Sequence, residues 1–364
     1  MTLPMGFQGS TIASVSSARN LVALPDGDLL VATSDSQIYI VPNAEAPGVT
    51  GSPKVFISLP ENHAQSVAYG PDGNIYVGTT HGVYQIPYTD GAQSEPDSSA
   101  TRIAQVRTGS VAPHSDGDVH VTSSVAVDST SVYVSVGSSC NACTEVDGTR
   151  AVILQMNHDG SGVTTLATRI RNAIAMTINP ATGTLWAGGA GQDSLPQGHP
   201  YEFMDAVTTH LPASPIDYGW PDCEENNVAY TTGANCTATV APAVEFVAYS
   251  THIGATFYPA DQAGAYAFPS SYRGGLFVTN HGSWHSNPAS PPAVNYVAMT
   301  GDVPAVSVNW SDPTAQWSEF LGGLGSMVST SYNARATGIA VGPKGSLFVA
   351  DDQNGAVYRI RPIP

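Results

Sequence analysis

Six times along the 364-residue chain, a turn-rich stretch runs directly into a short apolar strand of one pattern. The copies are Asp28-Leu-Leu-Val-Ala32, Asn74-Ile-Tyr-Val-Gly78, Ser131-Val-Tyr-Val-Ser135, Thr184-Leu-Trp-Ala-Gly188, Gly275-Leu-Phe-Val-Thr279 and Ser346-Leu-Phe-Val-Ala350. Four follow a Gly-containing turn: Pro25-Asp-Gly, Pro71-Asp-Gly, Pro180-Ala-Thr-Gly and Pro343-Lys-Gly. A lone β-unit cannot bury its apolar face, so repeated units stack on one another. Six copies predict a closed ring with a central pocket. The stretch just upstream of each copy should then point at the axis.

Measured between Leu29, Ile75, Val132, Leu185, Leu276 and Leu347, the spacings are 46, 57, 53, 91 and 71 residues. A four-stranded propeller blade takes about 40–50 residues, so the first intervals hold one blade each. The interval 189–248 reads as a large inter-strand insertion, rich in Pro, Asp and Asn, lying as loops on one face. Half-buried alternating strands follow most copies: Gln37-Ile-Tyr-Ile-Val41, Val83-Tyr-Gln-Ile86, Val152-Ile-Leu-Gln-Met156, Val294-Asn-Tyr-Val-Ala298 and Ala356-Val-Tyr-Arg-Ile360. The chain ends soon after the last, leaving the segment Phe7 to Val15 to complete the final blade. The expectation is an all-β, six-bladed propeller of four-stranded antiparallel blades, residues 1–364 forming a single domain. Seven short blades or a β-solenoid are the competing architectures.

Hydrophobic residues make up 42% of the chain, enough to bury a large core. Lys and Arg total 12 against 29 Asp and Glu, giving −17, a field that repels phosphate backbones and excludes a nucleic-acid partner. No apolar run reaches membrane-spanning length. The four cysteines fall into local pairs, Cys140/Cys143 and Cys223/Cys236, open to disulfide formation or metal ligation. No histidine cluster has zinc-finger spacing, which favours disulfides. Sequons at Asn235-Cys-Thr237 and Asn309-Trp-Ser311 point the same way, to a secreted, extracellular protein. Met1-Thr-Leu-Pro carries no signal peptide, so a mature or recombinant form is expected; a monomer is the expected state.

In a propeller, the strand before each turn lines the channel. Its entrances read Ala18-Arg-Asn-Leu21, His63-Ala-Gln-Ser66, His120-Val-Thr-Ser-Ser124, Arg171-Asn-Ala-Ile174, Thr251-His-Ile-Gly254 and Arg335-Ala-Thr-Gly338. Three of the ten arginines and three of the ten histidines stand there. Each alone reads equally well as a solvated or satisfied polar group. Together they suit a planar polyanion, because the arginine fork grips carboxylates and stacks on π-systems. The loop Gly188-Gly-Ala-Gly-Gln-Asp-Ser194 offers backbone carbonyls to a hard cation such as calcium, through Gly191 and Gln192 with Asp193. His120 suits a general base, with an ordinary pKa near 6.5; Asp116 and Asp118 lie nearby in sequence. His281 and Trp284 of Asn280-His-Gly-Ser-Trp284 can face the mouth, and Trp284 reads equally as a packed blade-edge aromatic. Neither a Gly-x-Ser-x-Gly elbow nor a nucleotide-binding glycine fingerprint appears.

Several of these stretches resemble one family. Arg171-Asn-Ala-Ile-Ala-Met, Gly189-Ala-Gly-Gln-Asp-Ser194 and Asp217-Tyr-Gly-Trp-Pro221 occur in the order found in soluble quinoprotein sugar dehydrogenases. Arg273-Gly-Gly-Leu-Phe-Val-Thr-Asn-His-Gly-Ser-Trp284, Arg335-Ala-Thr-Gly-Ile-Ala-Val and Val349-Ala-Asp-Asp352 are more similar to the pyranose dehydrogenases of auxiliary activity family 12. The resemblance implies a propeller binding pyrroloquinoline quinone (PQQ) and Ca2+, oxidising aldoses or other pyranoses. By this likeness His120 is the base, and Arg171 and Arg335 hold cofactor carboxylates. Asn172, His281, His63, Trp284 and Arg19 surround the cofactor, and the metal rests on Gly191, Gln192 and Asp193. Electrons pass to a cytochrome or other soluble acceptor, and a monosaccharide is the substrate. The chain departs from glucose dehydrogenases in carrying Ser138 where they pair an Asp with the catalytic His. It also lacks their cofactor lysine, since Lys54 and Lys344 are unsuitably placed. The alternatives are a calcium-dependent sugar lactonase on a propeller and a non-catalytic binding platform.

Overall fold

The structure is a computed structural model that describes residues 1–48, 52–108, 119–195, 198–285 and 289–364. Six antiparallel sheets, each built on four strands, stand around one axis. Written from the axis outward, blade 1 is Ala18–Ala23, Leu29–Thr33, Gln37–Val41 and Lys54–Ser58. Blade 2 is Ser66–Tyr69, Asn74–Gly78, Gly82–Pro87 and Thr101–Gln105. Blade 3 is Ser123–Val127, Val132–Val136, Val152–Met156 and Thr164–Thr168. Blade 4 is Ala175–Ile178, Leu185–Gly189, Glu202–Ala206 and Val244–Phe246. Blade 5 is His252–Phe257, Leu276–Asn280, Ala293–Val297 and Trp317–Leu321. Blade 6 is Ala336–Val341, Leu347–Asp351, Ala356–Pro362 and the N-terminal strand Phe7–Ser14. The chain is a six-bladed β-propeller.

The repeated motif is the second strand of every blade. Five of the six copies are buried at every strand position, sandwiched between the neighbouring blades. Burial on both faces writes a continuous apolar run instead of an alternation, which is why this strand recurs legibly. The strand before each copy is innermost, and each inner strand packs on the next, Ala336–Val341 finally meeting Ala18–Ala23. Close to the axis there is little room: a Cβ on Gly338 would fall 2.6 Å from the Asn20 Cα.

The ring is closed by pairing Phe7 with Pro362 through to Ser14 with Ala356. Phe7 fastens this strand by lying edge-on to Phe268, Phe320 and Tyr272, with centroids 4.7, 5.1 and 5.4 Å away. Such aromatic pairs contribute about 0.5–1.5 kcal/mol each beyond burial.

The interval 189–248 differs from the expectation of loops alone. It holds the third and fourth strands of blade 4, and Ile216–Asp217 joins blade 3 as a parallel fifth strand. The third strand, Glu-Phe-Met-Asp-Ala, hides two carboxylates: Glu202 and Asp205 are both buried. Charged residues at buried positions break the apolar alternation, so the strand reads as loop. Both cysteine pairs form disulfides, Cys140–Cys143 and Cys223–Cys236. The sequon residues Asn235 and Asn309 are exposed. No helix is long and apolar enough to cross a membrane among the described residues.

Candidate functional site: the rim at the inner-strand entrances

All six inner strands run the same way along the axis, so their N-terminal entrances meet at one end. The channel below them is a cavity of about 230 Å³ lined by mostly apolar inner-strand residues such as Leu21, Val67, Val125 and Ile339. The titratable groups therefore collect at the rim above it, in three bonded clusters.

The first cluster joins blades 3, 4 and 5. The His120 Nδ1 lies 2.8 Å from the Ser138 carbonyl oxygen and 2.9 Å from its Oγ. Ser138 Oγ itself donates to the Cys140 carbonyl at 2.7 Å, so both atoms facing Nδ1 are acceptors. Nδ1 accordingly carries the proton, and the lone pair of the neutral ring sits on Nε2. Ser138 thus stands where an Asp partner would, but neither its carbonyl nor its hydroxyl carries charge to stabilise an imidazolium. Burial, with the Arg171 and Arg150 guanidinium groups nearby, lowers the His120 pKa to about 3. Asn172 is next to it: a Cβ on Gly137 would lie 2.6 Å from both His120 Cβ and Asn172 Oδ1. Asp116 and Asp118 lie outside the described residues.

Arg171, 5% exposed, commits four of its five donors to the protein. Nε and Nη2 reach the Asn141 carbonyl and Oδ1, both at 2.9 Å. Nη1 reaches the Ala190 carbonyl at 3.2 Å, and Nη2 also reaches Asp193 Oδ2 at 3.2 Å. Asp193 completes the link by accepting from Trp284 Nε1 at 3.1 Å. Trp284 is 68% exposed at the rim, with the His285 ring edge-on to it at 4.6 Å, rather than a packed blade-edge residue. Asn141 escapes sequence reading altogether, yet it is the hub. Its Oδ1 accepts from the Asp193 amide at 2.7 Å, its Nδ2 donates to the Asp193 carbonyl, and its own carbonyl also accepts from Trp220 Nε1. Its only signal in sequence is its place inside Cys140-Asn-Ala-Cys143, where the disulfide closes a tight loop.

Between these residues lies the loop after Gly189. Gly188 and Gly189 end a strand, and a Cβ on Gly189 would fall 2.0 Å from the Asn172 carbonyl oxygen. The loop's first two glycines therefore serve close strand packing. Among the described residues, the carbonyls of Gly191 and Gln192 accept no hydrogen bond. Two unengaged carbonyls in a loop held on both sides fit a hard cation. Asp193 is already bonded to Arg171 and Trp284. Glu224, missed in the sequence, takes the Gln192 carboxamide, and burial raises its pKa to about 8.

The second cluster spans blades 5, 6 and 1. Arg335 donates from Nε to the His281 carbonyl at 2.9 Å and from Nη2 to the Gly282 carbonyl at 2.8 Å. Its Nη1 makes no hydrogen bond to the described residues, so part of its fork remains open. His281 Nε2 lies 3.0 Å from both Asp352 carboxylate oxygens, and Arg19 Nη1 is 2.8 Å from Asp352 Oδ2. Burial disfavours the Asp352 carboxylate, but the His281 and Arg19 contacts prevail and hold its pKa down to about 2. Burial lowers His281 to about 4, against the pull of Asp352, so it donates as a neutral ring. The third cluster is small: His63 Nδ1 meets Gln65 Nε2 at 2.7 Å, and Gln65 Oε1 accepts from Thr122 at 2.9 Å. His252, the remaining entrance residue, is fully buried against Phe246 and does not reach the rim.

These buried groups imply an unusual pH dependence of stability. His120, His252 and His281 have folded pKa values depressed by burial, to about 3, 3 and 4. Below about 6.5 the unfolded chain takes up these protons first, so they cost stability as pH falls. Glu202, Glu224 and Glu245 are raised by burial, Glu224 and Glu245 to about 8. Their contribution is complete below about 4.5 and is lost as pH rises towards 8. The two sets offset each other between about 4.5 and 6.5. Thermal melts of the ligand-free protein should give the highest Tm near pH 5.5; a Tm still climbing from pH 5.5 to 8 contradicts this balance.

Comparison with known proteins finds relatives of the fold. Residues 198–362 match the TrAA12-like family model. The fold superposes on a Trichoderma reesei carbohydrate-active enzyme of family AA12 with TM-score 0.81 and 19% identity, covering 100% of this chain and 97% of that one. The holo PQQ domain of pyranose dehydrogenase from Coprinopsis cinerea gives 0.74 and 18%, covering 99% and 96%. The soluble aldose sugar dehydrogenase of Escherichia coli gives 0.66 and 15%, covering 98% and 100%. At these identities the likeness carries the fold. An uncharacterized protein of Borreliella burgdorferi is 24% identical over 250 residues, 68% of this chain, and the match spans 62% of that relative's length.

Proposed function

We propose that this chain, a six-bladed propeller with a TrAA12-like match over residues 198–362, is a PQQ- and calcium-dependent dehydrogenase of pyranose sugars. The observation that carries the reading is the chemistry gathered on one rim. A neutral histidine with its lone pair on Nε2 shares that rim with an arginine fork left partly open and two unengaged loop carbonyls. Arg335 would hold a cofactor carboxylate through Nη1, with Asn172 and Trp284 supplying an amide and an aromatic face. Gly191 and Gln192 carbonyls would hold calcium. When bound there, PQQ would supply a hydride acceptor and calcium a Lewis acid.

The protein's own contribution is positional and electrostatic. His120 Nε2 would take the proton of the sugar hydroxyl, its ring fixed by Ser138. Arg171 would act chiefly through the loop, holding Asp193 and Asn141 rather than a ligand. Positive charge from Arg19 and Arg335 would favour the more anionic reduced state. A lactonase needs several carboxylates or amides converging on one axial cation. Here Asp193 and Asp352 are each bonded to arginine, which favours the dehydrogenase. The substrate is then a monosaccharide and the electron acceptor a cytochrome or small soluble carrier. Two disulfides and two exposed sequon asparagines support a secreted protein.

Reconstitution tests the reading. Adding PQQ with calcium to the full chain should give a bound chromophore, and dye reduction with some member of an aldose panel that requires both additions. An unchanged absorbance spectrum with no dye reduction overturns it, and hydrolysis of sugar lactones would move the chain to the lactonase reading.

A further inference from the structure

Outside the rim, a cavity of about 410 Å³ lies between blades 4 and 5. Cross-strand pairing sets Val278 opposite Asn295 and Asn280 opposite Ala293, so these residues share the face turned to blade 4. That face is apolar further down, where Val278, Leu276 and Val297 pack on Phe246 and Met204. At the cavity it changes to two carboxamides. Asn295 is 1% exposed and Asn280 3%. Among the described residues, neither Asn295 Nδ2 nor Oδ1 has a hydrogen-bond partner, while Asn280 lies against the buried His252 ring.

An unsatisfied buried amide costs about 1–3 kcal/mol, so one facing a cavity needs a reason. The rest of the lining is predominantly apolar, including Tyr201, Val247, Pro291, Trp317 and Met327. Trp317 is backed by Phe246, stacked at 19° with centroids 6.0 Å apart. None of His120, Arg171, Asp193 or Arg335 lines the cavity. Ser290, which does line it, exchanges hydrogen bonds with Ser283 beside Trp284, and Asn280 directly precedes His281. The cavity is therefore separate from the rim and shares a wall with it.

We propose that this cavity binds a small uncharged aromatic molecule bearing hydroxyl or carbonyl groups, of the phenol or quinone class. The unmet donor and acceptor of Asn295 match a phenolic hydroxyl, which both donates and accepts. Aromatic and aliphatic walls suit a flat ring and give most sugar hydroxyls no partner. Among the described residues the lining holds no cation, and Glu319 is its one charged side chain, which disfavours carboxylates and phosphates. The volume falls in the range of small-molecule sites.

The test uses the full chain without cofactor, so it stands whether or not the dehydrogenase reading holds. Ligand-observed NMR and calorimetry with hydroquinone should show saturable binding, and glucose at equal concentration should not compete. Asn295→Leu should weaken hydroquinone binding at least tenfold while raising the melting temperature, because it removes unsatisfied buried groups. That combination separates a binding role from a structural one. His120→Ala should bind hydroquinone as the wild type does. No saturable binding, equal affinity in Asn295→Leu, or glucose displacing hydroquinone overturns the proposal. If Asn295→Leu fails to fold, hydroquinone soaked into wild-type crystals must appear against Asn295 and Asn280; its absence there is equally decisive.

Discussion

Replacing His120 by alanine should lower kcat of the reconstituted protein by about 10²–10⁴-fold, the usual contribution of a positioned base, while PQQ still binds. The proposed base atom is Nε2, because among the described residues Nδ1 faces two acceptors, the Ser138 carbonyl and a hydroxyl whose proton goes to Cys140. Ser138→Ala should cost far less, under about tenfold, since the stronger of the two acceptors is main chain. The pH behaviour gives an independent check. With its pKa depressed to about 3 by burial and by Arg171 and Arg150, His120 stays neutral at pH 5, where an ordinary histidine is protonated. Nitrogen NMR of the ligand-free protein should find a neutral, Nδ1-protonated ring there. Unchanged turnover in His120→Ala removes it from the mechanism, and a titration near pH 6.5 removes the electrostatic account.

The second large effect should come from Arg171→Met. This guanidinium bonds the Asn141 carbonyl and carboxamide, the Ala190 carbonyl and the Asp193 carboxylate. Removing it strands a carboxylate near the buried Glu202 and Glu224, both of which feel the Arg171 charge. Breaking a buried pair in this way costs about 3–5 kcal/mol, less where one partner is partly exposed as Asp193 is, so a loss of about 3 kcal/mol is expected in urea melts. Calcium affinity should fall with it, because the Gly191–Gln192 loop loses its anchor. Arg171→Lys should rescue little: one ammonium cannot span acceptors arranged for a planar fork. A loss below about 1 kcal/mol, with calcium binding intact, contradicts the anchoring role.

Much of the rim is legible in the sequence once the six copies are aligned, because an inner strand must start at the axis. That logic places His120, Arg171 and Arg335 beside their clusters. It places His252 there too, wrongly, since a bulge between His252 and Ala255 accompanies a side chain turned into the blade against Phe246. The partners are harder to read. Asn141, Glu224 and Asp352 reach their clusters from loops and other blades, at separations from 30 residues, Arg171 to Asn141, to 333, Arg19 to Asp352. Local pattern carries no record of such distances.

What the sequence determined alone was the ring. A strand buried on both faces must be apolar throughout, and six such strands at blade spacing leave few ways to bury them. What only the tertiary structure decided was which polar groups are spent and which remain open. Arg171 and Arg335 look alike in their entrances. Packing commits four donors of Arg171 to the protein and leaves the Arg335 Nη1 without a described partner. Hydrogen-bond satisfaction depends on atoms brought together by folding, so residue type names the candidates and geometry assigns their work.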